Sequence, residues 1–149
     1  MQMKRRLRKR WYVGMKVLID TNVILDVLCN RKDFVEDSLK VFKYCEAKKL
    51  DGCISALSVP NIVYIMRKEL DNEKIKEILS VLLSIFTVVD LRSSDLTKAA
   101  GLDFGDYEDA LQSVCASRAK AAYIVTRNIK DFNNSAVPAI KPSELLERI

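Results

Sequence analysis

The sequence predicts an α/β fold: a mainly parallel sheet covered by helices on both faces. Three observations carry this. Short apolar runs rich in β-branched residues alternate with longer segments of helical periodicity, the pattern of strand–helix–strand units. The run Val17-Leu18-Ile19 is apolar without alternation, as in a strand buried on both sides. No repeat, low-complexity segment or linker long enough to divide domains interrupts the pattern.

Taken in order, the first strand runs over about Lys16–Asp20. Thr21 or Asn22 can cap the helix that follows, from Val23 to between Leu28 and Asn30. Asp33–Lys49 reads as a second helix, with Val35, Leu39, Phe42 and Tyr44 or Cys45 on its apolar side. Leu50-Asp51-Gly52 turns the chain into a short strand, Cys53-Ile54-Ser55. Ser58 ahead of Pro60 marks a helix start, since proline is tolerated in a first turn. That helix carries Ile62, Val63, Ile65 and Met66 to about Glu69. Asp71 caps the next, whose stripe is Ile75, Ile78, Leu79, Leu82 and Leu83. Phe86–Leu91 is a β-branched strand, and Ser93 or Ser94 caps a short helix ending near Gly101. A helix over Asp106–Ala119 turns Ala110, Leu111, Val114 and Cys115 inward. Ala122–Thr126 is a clear strand, Val137–Ile140 a short edge strand, and Pro142 opens a final small helix.

A chain of 149 residues suits one domain with a real core, and 49 % hydrophobic residues argue against disorder. The longest apolar stretch, Ile78–Val89, is broken by Ser80, Ser84 and Thr87, so no membrane span is expected. The net charge of +5 belongs to one end of the chain. Residues 1–14 hold Lys4, Arg5, Arg6, Arg8, Lys9 and Arg10 and no acid, so the remainder is close to neutral. This basic extension reads as an unstructured leader ahead of a domain beginning at Met15; an arm for phosphate backbones is the other possibility. No apolar segment of the secretory type follows its charges. Cys29, Cys45, Cys53 and Cys115 lack metal-binding spacing and there is no histidine, which argues against zinc and excludes histidine-dependent nucleophilic catalysis. Scattered among apolar residues, the four read as buried free thiols in a reducing cytoplasm.

The chemistry that remains is that of carboxylates. Asp20 closes the first strand, where open α/β sheets put their functional crevice. Asn61 lies in the first turn of the helix after the second strand. Asp106 and Asp109, three apart at a helix start, share a face. Asn128 and Asp131 follow the strand ending Val125-Thr126-Arg127. In a parallel sheet all four places fall on one rim. Crowded carboxylates raise one another's pKa, a cost that a divalent cation removes, and Mg²⁺ or Mn²⁺ prefers such oxygen ligands. An acidic rim without histidine suits metal-assisted phosphodiester hydrolysis. Asp106 equally suits a helix cap, and Asp26, Asp37, Asp71 and Asp95 read as solvated or capping.

The blocks Val17-Leu18-Ile19-Asp20-Thr21-Asn22-Val23-Ile24-Leu25-Asp26, Asp106-Tyr107-Glu108-Asp109-Ala110-Leu111-Gln112 and Ile124-Val125-Thr126-Arg127-Asn128-Ile129-Lys130-Asp131-Phe132 resemble, in order and spacing, the three signature blocks of a PIN domain. The resemblance covers Met15–Ile149, and its branch is that of VapC-like toxins of type II toxin–antitoxin pairs. It implies a three-layer α/β/α sandwich and a Mg²⁺- or Mn²⁺-dependent endoribonuclease acting on RNA. It also implies a homodimer blocked by a cognate antitoxin protein. Carried over, Asp20, Asp109 and Asp131 match the acids that hold metal, and Asp106 an auxiliary catalytic acid. Asn128 is the other reading of the last acidic position. Asn22 and Thr126 match residues that position the site, and Asn61 stands where the family usually has glutamate. An amide brings no charge and cannot act as a general base, which points to weaker or altered activity. Arg67, Arg127 and Lys130 are candidate phosphate contacts. The competing reading is a PIN-fold module that has lost catalysis and only binds RNA or a partner protein. An aspartate-nucleophile phosphotransferase would want an acid where Asn22 stands, and four glycines leave no dinucleotide-binding loop.

Overall fold

The computed structural model describes residues 14–149. The basic extension read over residues 1–14 lies, apart from Gly14, outside the described residues.

Five parallel strands form one sheet in the order β3-β2-β1-β4-β5. They are β1 (Lys16–Ile19), β2 (Asp51–Ser55), β3 (Thr87–Val89), β4 (Tyr123–Val125) and β5 (Ala139–Ile140). The helices are α1 (Thr21–Leu28), α2 (Val35–Glu46), α3 (Ser58–Met66), α4 (Asn72–Ile85), α5 (Ser93–Ala100), α6 (Tyr107–Arg118) and α7 (Pro142–Leu146). A 3₁₀ turn spans Ile129–Phe132. Among the described residues no helix is long and apolar enough to cross a membrane.

Side chains alternate across a strand, and the alternation divides the core. Val17, Ile19, Ile54 and Val125 join α1, α2, α4 and α7 in one cluster. Leu18, Cys53 and Ile124 join Cys115 and Ala116 of α6, with Phe132 and Val137, on the opposite face. Val17, Leu18 and Ile19 are wholly inaccessible, because β1 is covered on both faces and flanked on both edges. This is the three-layer α/β/α sandwich expected. Register pairs Leu18 with Cys53 on one side and with Ile124 on the other. The chain steps outward from β1 through β2 to β3, then returns to β4 on the other edge. The order therefore reverses between β1 and β4, and a crevice opens beyond their carboxyl ends.

Several local expectations are corrected. Leu39 and Leu83 are exposed rather than core, at the outer edges of their helical stripes. Cys29 is exposed, because α1 ends before it; the other three cysteines are buried. Asp26, read as solvated or capping, is buried; Asp95 is buried too, and for it the capping alternative holds. Asp26 faces Arg31 at 3.3 Å and Arg127 at 2.8 Å. Asp95 is gripped by Arg118 through two bonds of 3.1 and 2.8 Å, and it caps α5 by accepting the Arg92 N–H at 2.9 Å, so neither Ser93 nor Ser94 is needed as a cap. The N-cap position of α1 is Asp20, in extended backbone, and no side chain caps that helix. Asp71 caps α4 as expected, accepting the Lys74 N–H at 2.8 Å.

Candidate active site

Asp20 is the first residue past β1, anchored by its N–H to the Val125 carbonyl across the β1–β4 boundary at 2.9 Å. Its carboxylate is only 5 % exposed and accepts the Thr126 hydroxyl at 2.9 Å. Thr126 Oγ1 in turn accepts the Asn128 N–H at 3.1 Å, which ties the turn after β4 to the acid. Burial pushes the Asp20 carboxyl above its ordinary pKa, while the Thr126 hydroxyl and the Thr21 N–H pull it back.

Asp106 and Asp109 come from the start of α6. Asp106 is the N-cap, its Oδ1 accepting the Asp109 N–H at 3.1 Å, so the capping reading holds. Asp106 nevertheless lines the same cleft as Asp109. Burial, and then the charges of Asp106, Asp20, Asp131 and Glu108, push Asp109 up to about 7. One carboxyl thus feels acids from β1, α6 and the turn after β4. The cleft that holds them has a volume of about 650 Å³ and is lined also by Asn22, Asn61 and Asn128. Asp131 is exposed at its margin.

Behind the acids lies a polar layer that the sequence reading missed. Thr21 Oγ1 and Ser58 Oγ lie 2.7 Å apart, and Gln112 Nε2 donates to both, at 3.3 and 3.0 Å. Ser55 Oγ stands 3.3 Å from Ser58 Oγ. The layer joins the start of α1 to α3 and α6 and so holds the cleft walls in place. Spacing carried a signal for it: Ser58 lies three residues before Asn61 and Gln112 three after Asp109, on shared helix faces. Gln112 Oε1 is buried without a hydrogen-bond partner among the described residues.

The cations expected at phosphates fall elsewhere. Arg127 turns away from the cleft: its Nε lies 2.8 Å from Asp26, off the hydrogen-bond direction, and its guanidinium sits 3.9 Å over the Phe34 ring. Desolvating that arginine against a buried acid and an aromatic face leaves little of it for a substrate. It lines a separate recess of about 220 Å³. Arg67 and Lys130 are exposed and do not line the acidic cleft. Tyr64 and Lys68 do.

Whether these residues suit a divalent ion can be tested on their chemistry. Every polar side chain on the cleft wall other than Lys68 offers oxygen, and Asp109 is raised by burial and by the acids that crowd it. Both suit Mg²⁺ or Mn²⁺. Among the described residues no three acidic or cysteine side chains stand close enough to clasp an ion unaided. That spread suits an ion taking one or two carboxylates directly and keeping several waters.

A family model described as "PIN domain" matches residues 16–130. Ribonuclease VapC1 of Aquifex aeolicus is 25 % identical over 138 residues, spanning 89 % of this chain and 94 % of that protein. A solved VapBC2 of Rickettsia felis bound to a promoter DNA fragment superposes with a TM-score of 0.63 at 21 % identity, covering 85 % of this chain and 98 % of the other. A toxin–antitoxin complex from Klebsiella pneumoniae superposes with a TM-score of 0.65 at 19 % identity, covering 85 % and 97 %. The fold, its switch-point cleft and a family match over most of the sequence converge, and the chain belongs to the PIN domain family.

Proposed function

We propose that the protein is a divalent-metal-dependent endoribonuclease of the toxin type, built on a PIN domain over residues 15–149. The observation that carries this is a single cleft at the β1/β4 switch point lined by Asp20, Asp106, Asp109 and Asp131, with Asp109 pushed up to about 7 by burial and then by the neighbouring acids. The likeness to Ribonuclease VapC1 supports the same activity.

In this reading Asp20 and Asp109 hold Mg²⁺ or Mn²⁺, with Asp106 and Asp131 acting through waters. Such an ion, when bound, acidifies water and offsets the charge that builds on a phosphodiester. Thr126 holds the Asp20 carboxylate in one orientation and favours its ionised form. Thr21, Ser58 and Gln112 fix the start of α1 against α3 and α6, so that the acids keep their spacing. Asn22, Asn61 and Asn128 offer amides to water or to the RNA. Asn61 supplies no base, so the carboxylates carry proton removal and turnover is slow. Partners in this reading are RNA, a cognate antitoxin and a second copy of the chain, in the cytoplasm. The toxin–antitoxin complexes among proteins of the same fold support the antitoxin.

The test is cleavage of single-stranded RNA with Mg²⁺ or Mn²⁺. Asp20→Asn abolishes cleavage and leaves the far-UV dichroism unchanged; a chelator abolishes it in the wild type. Equal cleavage by Asp20→Asn, in protein freed of contaminating nuclease, overturns the reading. RNA binding without cleavage leaves the catalytically silent module in its place.

A further inference from the structure

The wall of the cleft facing the acids is a stripe of α3 and the turn after it. Asn61, Tyr64, Ile65 and Lys68 line the cleft, and their spacing of three, four and seven places them on one face. Ile62 and Met66, on the other face, are buried in the core. Tyr64 is an apolar ring left 65 % exposed. Two other tyrosines are tied into the fold: Tyr107 donates to the Leu96 carbonyl at 2.8 Å, and Tyr123 accepts from Arg148 at 2.9 Å. The Tyr64 ring meets the Lys68 ammonium at 5.4 Å, a loose cation–π contact in solvent. Among the described residues lining the cleft, Lys68 is the sole cation.

An exposed aromatic face beside an exposed cation, at the rim of a cleft lined with amides, has a definite use. Aromatic side chains stack unpaired bases of any sequence, and a neighbouring lysine neutralises the adjoining phosphate. Resting on the nuclease reading for the reaction, we propose that Tyr64 and Lys68 form a nucleotide subsite for single-stranded RNA. Tyr64 stacks one unpaired base, and Lys68, displaced from the ring, contacts the phosphate next to it. Asn61, one turn away on the same stripe, faces the same space and can meet the base edge. The subsite selects strands with an unstacked base beside the scissile bond. It also explains why a cleft so rich in acids can hold a polyanion: one wall has no acid and carries the cation.

The test is fluorescence anisotropy of the full chain with a fluorescein-labelled single-stranded RNA dodecamer. Ca²⁺ replaces the catalytic ion, and salt is near physiological to weaken contacts by the basic N-terminal run. Tyr64→Ala weakens binding roughly tenfold, whereas Tyr64→Phe stays within about twofold of wild type. Abasic RNA weakens binding to the wild type and changes little for Tyr64→Ala, a distinction that charge contacts do not make. In Mn²⁺ cleavage, Tyr64→Ala raises KM with kcat nearly unchanged. Tyr64→Ala binding RNA as the wild type does overturns the subsite, as does a change of mass by light scattering with RNA affinity intact, which marks Tyr64 as a protein contact. The two readings separate: cleavage with Tyr64 dispensable refutes only the subsite, and Tyr64-dependent binding without cleavage refutes only the nuclease.

Discussion

Asp109 shows at the scale of one residue what the cleft costs. A carboxyl raised to about 7 in the native state, against an ordinary value near 3.8, is destabilising wherever the unfolded chain would ionise it. The cost is absent below the unfolded pKa, grows as pH rises toward 7 and is constant above. Asp109→Asn therefore raises the Tm of the metal-free protein by a few degrees at pH 8 and leaves it unchanged near pH 3, measured by thermal denaturation. Asp20 and Asp109 were legible in the sequence, because a strand end and a helix start announce themselves locally. Asp26 and Asp95 were not. Their arginines, Arg127 and Arg118, lie on other elements, and nothing in the local sequence distinguishes a buried paired acid from a solvated one. Arg127 was misread for the same reason: a cation after a strand end looks available until its partners are known. Tyr64 stands unremarked in the sequence among Ile62, Val63, Ile65 and Met66, because exposure at a cleft rim has no local signature.

Among the elements, the α5–α6 hairpin sets where Asp106 and Asp109 stand. Arg118, at the end of α6, clamps it by reaching Asp95 with two bonds, Asp90 at 2.8 Å and the Asp90 main-chain carbonyl. Those hydrogen bonds hold the Asp95 carboxyl below its ordinary pKa, so its contribution is present above about pH 4 and is lost as pH falls through the folded value. Arg118→Ala strands a buried charge, and its expected cost is a drop of several degrees in Tm at pH 7 that narrows toward pH 3. Element order was legible almost throughout, since apolar runs and helical stripes are properties of contiguous sequence. Strand ends were not: the segment read as Phe86–Leu91 pairs only over Thr87–Val89, because a strand is bounded by its neighbour's hydrogen bonds. The hydroxyl and amide layer of Thr21, Ser58 and Gln112 was hidden likewise, for it exists only where three helices meet.

For the molecule as a whole, the parallel sheet follows from strand–helix alternation, while the strand order follows from packing that no window of sequence contains. The reversal between β1 and β4 makes Asp20 the meeting point of the two halves. An ion held by Asp20 and Asp109 would staple β1 to α6, so Mn²⁺ at a hundred times its Kd stabilises the wild type by about 2.7 kcal/mol, read as a rise in Tm, and leaves Asp20→Asn unmoved. The same reversal has a consequence for biosynthesis. β1 emerges from the ribosome well before the neighbour that supplies Thr126 to Asp20. A partly translated chain can pair β1 with β2 yet has no threonine to orient its first acid and no closing turn with Asp131. Until β4 and the turn after it are made, the growing polypeptide carries an unfinished cleft.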